Sequence, residues 1–212
     1  MLVPSVNSEP WSPPWRRIAL RVLFGAWIVS FIVVGAYLLA PHLLTLPVPQ
    51  PTDAALLRTT AERLPAERGR WMALHILDQD CPCSVRVLDH LLAQPRPTTV
   101  AERIVWIASV PDPRRIAEIR AHGFDLDLVA PEQLSDRYHV EAAPLLVVVD
   151  PADRVHYLGG YTPRKQASDV RDAAIIAAVL RGDRVAPLPT FGCAVGASLR
   201  TTIDPLGIRR WN

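Results

Sequence analysis

A strand, a turn and a helix surround two of the three cysteines of this 212-residue chain. Residues 71–77 form a continuous apolar run, which is typical of a strand buried on both faces. Residues 84–92 have the spacing of a short amphipathic helix, and residues 78–80 (DQD) mark a turn between the two. Cys81 and Cys83 therefore lie where a strand meets a helix N-terminus. The helix dipole stabilises a thiolate there and the acidic turn opposes it, so the sequence leaves the balance open.

An apolar run near the N-terminus predicts a membrane helix. Residues 22–40 carry no charged side chain, and with residues 18–20 the run is long enough to cross a bilayer core of about 30 Å. Three arginines stand on its N-terminal side: Arg16, Arg17 and Arg21. Because cytoplasmic flanks are rich in Lys and Arg, we expect residues 1–17 in the cytoplasm, a transmembrane helix over 18–40 and the rest outside. A cleaved signal peptide is the alternative, although LLA at 38–40 followed by proline is a poor cleavage site.

A proline-rich stretch follows the apolar run. Residues 41–69 are predicted to be a linker, since prolines favour an extended spacer. Within it, residues 53–63 predict a short helix with Thr52 or Asp53 as its N-cap. This helix is either the first element of a folded domain or part of a stalk. Residues 1–15, rich in Pro and Ser, are expected to be disordered.

Strand and helix patterns alternate beyond the linker. Apolar runs predict strands at residues 71–77, 103–110, 126–130, 144–149 and 154–158. Amphipathic or capped segments predict helices at residues 84–92, 114–122, 131–138 and 167–181. This order predicts an α/β domain over residues 70–182, with a central mixed sheet flanked by helices. Residues 183–212 form a tail that carries Cys193 and has no confident secondary-structure pattern.

The domain resembles the thioredoxin superfamily, and within it the membrane-anchored, TlpA-like thiol–disulfide oxidoreductases of the bacterial periplasm. The resemblance is carried by DCPC at residues 80–83 after a strand, by Ala-Pro at 143–144, and by the hairpin LLVVVDPADRVHYLGGYTP at 145–163. It covers residues 70–182 and implies a thioredoxin-like fold.

The chain departs from the family at the cysteines. The spacing is C-x-C rather than C-x-x-C, and Ser84 stands where the second cysteine of the family falls. Asp80 replaces the tryptophan that usually precedes the first cysteine. EAA at residues 141–143 replaces the glycine often found before the proline. These changes are compatible with a thioredoxin-like fold, but they argue against the activity of a simple dithiol reductase.

The resemblance implies roles for the three cysteines. Cys81 aligns with the family's nucleophile, which attacks a substrate disulfide as a thiolate. Cys83 is the nearer candidate to resolve the mixed disulfide, although a disulfide across one residue closes a small, strained ring. Cys193 is the alternative resolver, because its glycine-flanked segment, residues 187–196, could fold back over the site and exchange with the other two. An inert bridge and a lone thiol remain the structural alternatives.

Two further residues match functional positions of the family. His75 lies where many thioredoxins have a buried acidic residue, and its imidazole could relay a proton to the resolving thiol. The alternative is a core histidine that is hydrogen-bonded within its strand. Pro144 matches the family's cis-proline, which lies against the active cysteine and lets Ala143 offer backbone hydrogen bonds to a bound peptide. A trans proline at a strand start is the alternative.

The resemblance and the anchor together imply a protein of the inner membrane with a periplasmic domain that exchanges disulfides with protein substrates and a redox partner. No small-molecule cofactor is expected, since electrons pass through cysteines, and the net charge of +2 does not favour nucleic acid. A copper chaperone is one alternative, because thiolates bind Cu(I), and the candidate additional ligands are His122, His139 and His156. A redox-inactive interaction module is the other.

Overall fold

The computed structural model describes residues 14–43, 45–165 and 168–204, which divide into two compact units, Met1–Leu44 and Thr45–Asn212. The first unit contains helix α1 (Pro14–Leu43). Within it, Trp15–Leu39 has a mean hydropathy of 2.4, so it is apolar and long enough to cross a membrane. A signal sequence meets the same criterion. The disorder expected for residues 1–15 falls almost wholly outside the described residues.

The second unit is built on a mixed five-stranded sheet in the order β3-β2-β1-β5-β6. Its strands are β1 (Trp71–Asp78), β2 (Val100–Ile107), β3 (Asp125–Val129), β5 (Leu145–Val149) and β6 (Val155–Gly159). The first three strands are parallel, and β5 and β6 are antiparallel to their neighbours. The apolar runs at β2 and β5 are buried throughout, as expected for strands covered on both faces. The predicted mixed sheet is confirmed.

Helices cover both faces of the sheet. On one face, α3 (Pro82–Ala93), α4 (Pro113–Ala121) and α6 (Asp172–Leu180) bury apolar side chains against the odd-numbered residues of β1. On the other face, α2 (Ala54–Ala61) and α5 (Pro131–Tyr138) pack against the even-numbered residues. The alternation of side chains along a strand produces these two separate cores.

Helix α2 is the first helix of this domain rather than part of a stalk. Asp53 caps it, because its carboxylate accepts hydrogen bonds from the N–H groups of Ala55 at 2.9 Å and Leu56 at 3.2 Å. The Leu56 side chain is fully buried in the core that α2 shares with α5. The chain is already fixed before α2, since Leu46 N–H donates to Thr190 O at 2.9 Å. The compact unit therefore begins inside the predicted linker, residues 41–69.

Several boundaries differ from the sequence-based expectation. Strand β2 begins at Val100, three residues before the predicted start, because its parallel pairing with β1 extends to Trp71. Helix α6 begins at Asp172, five residues after the predicted start at residue 167. Residues 166 and 167 themselves lie outside the described part of the chain. The tail contains β7 (Cys193–Ala194) and α7 (Ala197–Ile203), where no pattern had predicted structure. Strand β7 pairs with β4 (Ala142–Ala143) in a second, two-stranded sheet.

Candidate functional site

Cys81 lies between the end of β1 and the start of α3, as the sequence predicted. The turn is held by Asp78, whose carbonyl accepts from Cys81 N–H at 3.2 Å and whose carboxylate accepts from Asp80 N–H at 3.1 Å. Cys81 is the N-cap residue of α3, and Pro82 is the first helical residue. The Cys81 side chain is 0% exposed, so solvent does not reach the thiol directly.

Pro144 directly follows Ala143, the residue whose carbonyl oxygen contacts the Cys81 thiol. The peptide bond between Ala143 and Pro144 is cis, and the Cys81 thiol lies 3.8 Å from the carbonyl oxygen of Ala143. The proline opens β5, the antiparallel neighbour of β1 in the sheet. Both segments of the site, the cysteine turn and the proline turn, are therefore fixed by adjacent strands.

The C-terminal tail crosses this site. Strand β7 pairs antiparallel with β4, with Cys193 opposite Ala143. The pairing continues where Val195 N–H donates to Glu141 O at 2.7 Å. At Gly192 the tail touches the proline turn so closely that a Cβ there would lie 1.8 Å from Ala143 O and 2.5 Å from the ring of Pro144. Glycine at this position is what lets the two backbones meet.

The three cysteines of the chain converge at this crossing, all of them as free thiols. The Cys81 thiol interacts with both Cys83, in the first turn of α3, and Cys193, on β7, closely enough to change the pKa values of all three thiols. Cys83 and Cys193 are half-buried, whereas Cys81 is fully buried. Ser84, at the position of the family's second cysteine, is buried on α3. A thiol from the tail thus stands beside Cys81, where the sequence lacks the usual partner on the helix.

The contacts among the thiols set their acidities. The hydrogen bond with Cys81 lowers the pKa of Cys193, because the Cys81 S–H donates to the Cys193 thiolate. Cys81 is the proton donor in this interaction and therefore retains its proton. The interaction and the burial of the thiol together raise the pKa of Cys81 to about 11. The N–H of Ser84, at the helix N-terminus, lowers the pKa of Cys81 but by less. The sequence left open whether the pKa of Cys81 is raised or lowered. It is raised, because the interaction with Cys193 and burial outweigh the effect of the helix N-terminus.

Cys83 is the thiol that loses its proton least readily. Its hydrogen bond with Cys81 and its burial raise its pKa, against a smaller lowering by Arg86. The Arg86 guanidinium lies 3.4 Å from the Cys83 sulfur. Among the three, Cys193 is therefore the cysteine that ionises first.

No family model and no curated protein sequence matches the chain. A hypothetical protein from Sinorhizobium meliloti is 20% identical with a TM-score of 0.46, over 61% of this chain and 81% of its own. A putative thioredoxin from Neisseria meningitidis is 11% identical with a TM-score of 0.41, over 55% and 78%. A thiol-disulfide isomerase from Corynebacterium glutamicum is 16% identical with a TM-score of 0.37, over 68% and 96%.

The topology of the chain itself decides the fold. Three parallel strands, an antiparallel hairpin and a cis-proline facing a cysteine at a helix start are the features that the resemblance implied, and all are present. The fold is thioredoxin-like. The tail strand β7 is an addition to the region that the resemblance covers, residues 70–182.

A small pocket opens beside Cys83 in the thioredoxin-like domain. Its lining includes Cys83, Arg86, Pro144, Tyr161 and Phe191. The ring of Phe191, next to Gly192, brings the tail into the pocket wall. The pocket is the concave surface next to the half-buried Cys83 thiol.

His75 lies in a buried polar network behind the site. Its Nδ1 is 2.9 Å from the hydroxyl of Tyr161, and its Nε2 is 3.4 Å from Glu102. Within the described part of the chain, no hydrogen bond joins His75 to a cysteine sulfur. Tyr161, the partner of His75, also lines the pocket beside Cys83. The geometry therefore places His75 in the core and leaves the predicted proton relay a hypothesis.

The network extends to a half-buried arginine, Arg96, that sequence reasoning missed. Arg96 donates to Glu102 at 2.8 Å and 2.5 Å, and its third nitrogen lies 2.9 Å from Asp172. Burial acts to raise the pKa of Glu102, but Arg96 and His75 outweigh it and lower this pKa to about 2. The sequence signal was the pair of charged residues Glu102 and Arg103 in the strand β2, because buried charges require partners.

The candidate copper ligands are not gathered at the site. His122 bonds the carbonyl of Glu118, and His139 and His156 each pair with an aspartate elsewhere in the domain. Over residues 14–43, 45–165 and 168–204, no three His, Cys, Asp or Glu side chains are grouped to hold a metal ion.

Proposed function

We propose that the chain is a membrane-anchored thiol–disulfide oxidoreductase that exchanges disulfides with protein substrates, with Cys81 and Cys193 as its redox couple. The observation that carries this proposal is the convergence of the thiols beside Pro144. Cys81 and Cys193 come from distant segments of the chain, yet the paired strands β4 and β7 place Cys193 opposite Ala143, whose carbonyl oxygen lies 3.8 Å from the Cys81 thiol. Two thiols in contact form a disulfide when they lose two electrons and two protons to a substrate disulfide, and they need no cofactor for this.

Cys193 is favoured over Cys83 as the partner of Cys81 in this couple. A disulfide between Cys81 and Cys83 would close a small ring at the first turn of α3, and its geometry departs from the usual one. A disulfide between Cys81 and Cys193 joins two separate backbone segments that already lie side by side. Cys83 remains in contact with Cys81 and is the second candidate.

The proposed location follows from helix α1. Its apolar length suits a membrane span, and the arginines at 16, 17 and 21 favour a cytoplasmic N-terminus. The thioredoxin-like domain would then lie in the periplasm of a Gram-negative bacterium, where disulfides form and persist. Its redox partner would be a membrane or periplasmic protein with an accessible thiol pair.

The test is the disulfide state of the full chain, purified in detergent and equilibrated across a series of glutathione redox buffers. Free thiols are trapped, and peptide mass mapping identifies which cysteines are joined. We expect a reversible disulfide between Cys81 and Cys193 at a defined potential. Cysteines that stay reduced at every potential, and that hold stoichiometric Cu(I) in a parallel titration, would replace this proposal with the copper-chaperone alternative.

A further inference from the structure

The tail strand fills the edge that the thioredoxin resemblance assigns to substrate peptides. In that resemblance, the residue before the cis-proline offers its backbone to a bound peptide, and here this residue is Ala143. Its partner is already Cys193 of β7, while Glu141 accepts from the N–H groups of Val195 at 2.7 Å and Gly196 at 3.0 Å. A substrate strand cannot pair at this edge while the tail is present.

Several contacts besides β7 hold the tail in place. Upstream of the crossing, Leu188 O accepts from Gly160 N–H at 2.8 Å and Thr190 O accepts from Leu46 N–H at 2.9 Å. Downstream, the Arg200 guanidinium donates to Ala194 O at 3.0 Å. The tail is therefore an integral part of the domain on both sides of Cys193.

The thiols at this crossing differ in their exposure to solvent. Cys81 is 0% exposed, enclosed by Ala143 and by the other two cysteines. Cys193 is half-buried and so presents part of its surface to solvent. In this geometry, an incoming disulfide meets Cys193 before it meets Cys81.

We propose, on the basis of the oxidoreductase function proposed above, that Cys193 is the thiol that attacks the substrate disulfide and that the buried Cys81 resolves the resulting mixed disulfide. This reverses the roles that the family resemblance implies. In the proteins that the resemblance names, a substrate cysteine would face the residue corresponding to Cys81, and here Cys193 takes that position. The resolving step is then the same thiol–disulfide exchange, but both cysteines belong to one chain.

The chemistry balances without any added reactant. The Cys193 thiolate attacks one sulfur of the substrate disulfide, forms a mixed disulfide and releases the other substrate sulfur as a thiolate. That thiolate takes up the proton of Cys81. The Cys81 thiolate then attacks the sulfur of Cys193 and releases the second substrate thiol. The substrate gains two electrons and the chain is left with a disulfide between Cys81 and Cys193.

The electrostatics of the site agree with this order. The hydrogen bond from Cys81 lowers the pKa of Cys193, and the charge of Arg200 lowers it further, whereas burial and Asp78 act the other way. Only the thiolate attacks a disulfide, so Cys193, which is more exposed than Cys81 and more acidic than both Cys81 and Cys83, is the thiol that reacts first.

The test uses the reduced full chain in detergent with glutathione disulfide as the probe. Single variants Cys81→Ser, Cys83→Ser and Cys193→Ser are compared with the unmodified chain, and mixed disulfides are located by peptide mass mapping after an acid quench. We expect Cys81→Ser to accumulate glutathione on Cys193, because the resolving thiol is gone. We expect Cys193→Ser to release glutathione slower by about tenfold or more, since the attacking thiol is gone and Cys81 is buried.

A second measurement needs no variant. Limiting iodoacetamide is added to the folded, reduced chain, and we expect Cys193 to be labelled first. If Cys81 or Cys83 is labelled first, or if Cys193→Ser takes up glutathione on either at the unmodified rate, the reversed order is wrong while the oxidoreductase function stands. If the unmodified chain neither releases glutathione nor forms a disulfide, the proposed function itself fails and the reversed order fails with it.

Discussion

At the scale of single residues, one hydrogen bond between Cys81 and Cys193 sets the acidity of both thiols. Replacing Cys81 by alanine removes the donor, so we expect the pKa of Cys193 to rise. A higher pKa leaves less thiolate at neutral pH and slows alkylation there. The measurement is the pH dependence of the rate at which iodoacetamide modifies Cys193.

Two matched variants sharpen this prediction. Cys81→Ser keeps a hydroxyl donor and should retain part of the effect. Cys83→Ser removes a group whose charge raises the pKa of Cys193, so it should not raise that pKa. A Cys193 titration curve that is identical in Cys81→Ala and the unmodified chain would show that the hydrogen bond does not control this thiol.

Also at the residue scale, Arg96 compensates two buried carboxylates. Its guanidinium contacts Glu102 and Asp172, and the Asp172 side chain is fully buried. Arg96→Leu leaves both carboxylates buried without their cation, which we expect to cost about 3–5 kcal/mol of unfolding free energy. Chemical denaturation measures this, with Arg181→Leu as the control. The exposed pair between Arg181 and Asp183 should contribute no more than about 1 kcal/mol, and equal losses in the two variants would contradict the assignment.

At the scale of elements, strand β7 depends on one glycine. A Cβ at Gly192 would lie 1.8 Å from the carbonyl oxygen of Ala143, a backbone atom that cannot yield without moving the proline turn. We expect Gly192→Ala to lift the tail, to destabilise the fold by about 1–3 kcal/mol and to make Cys81 accessible to alkylation. Gly25→Ala is the control, since a Cβ there meets nothing within 4 Å. Cys81 remaining unreactive in Gly192→Ala, with an unchanged unfolding midpoint, would mean that the tail does not shield it.

The same element shows what the sequence could and could not provide. Strands such as β1 and β5 are continuous apolar runs, so their local pattern predicted them, and the cysteine turn and proline turn followed from their ends. Strand β7 is two residues long and pairs with a segment far away in the sequence, so no local periodicity marks it. The position of Cys193 was therefore only one of several alternatives. The burial and raised pKa of Cys81 depend on that crossing and were equally inaccessible.

At the scale of the whole molecule, helix α1 and its arginines place the thioredoxin-like domain, in our proposal, outside the cytoplasm, in a compartment where disulfides form and persist. The chain has three cysteines, all in this domain, so their labelling reports its location. We expect a membrane-impermeant maleimide to label them in intact spheroplasts after mild reduction. The labelled chain should sediment with membranes and retain its N-terminal residues by mass.

The three arginines near the N-terminal end of α1 supply the matched variant. The triple substitution Arg16→Gln, Arg17→Gln, Arg21→Gln removes the charge that orients the helix, so we expect a larger share of chains to be labelled only after lysis. A soluble product that lacks α1 would instead identify this helix as a cleaved signal peptide. Labelling of the unmodified chain only after lysis would place the domain in the cytoplasm. In that reducing compartment the couple of Cys81 and Cys193 would rest in the dithiol form, which is the form that reduces a substrate disulfide in the exchange described above.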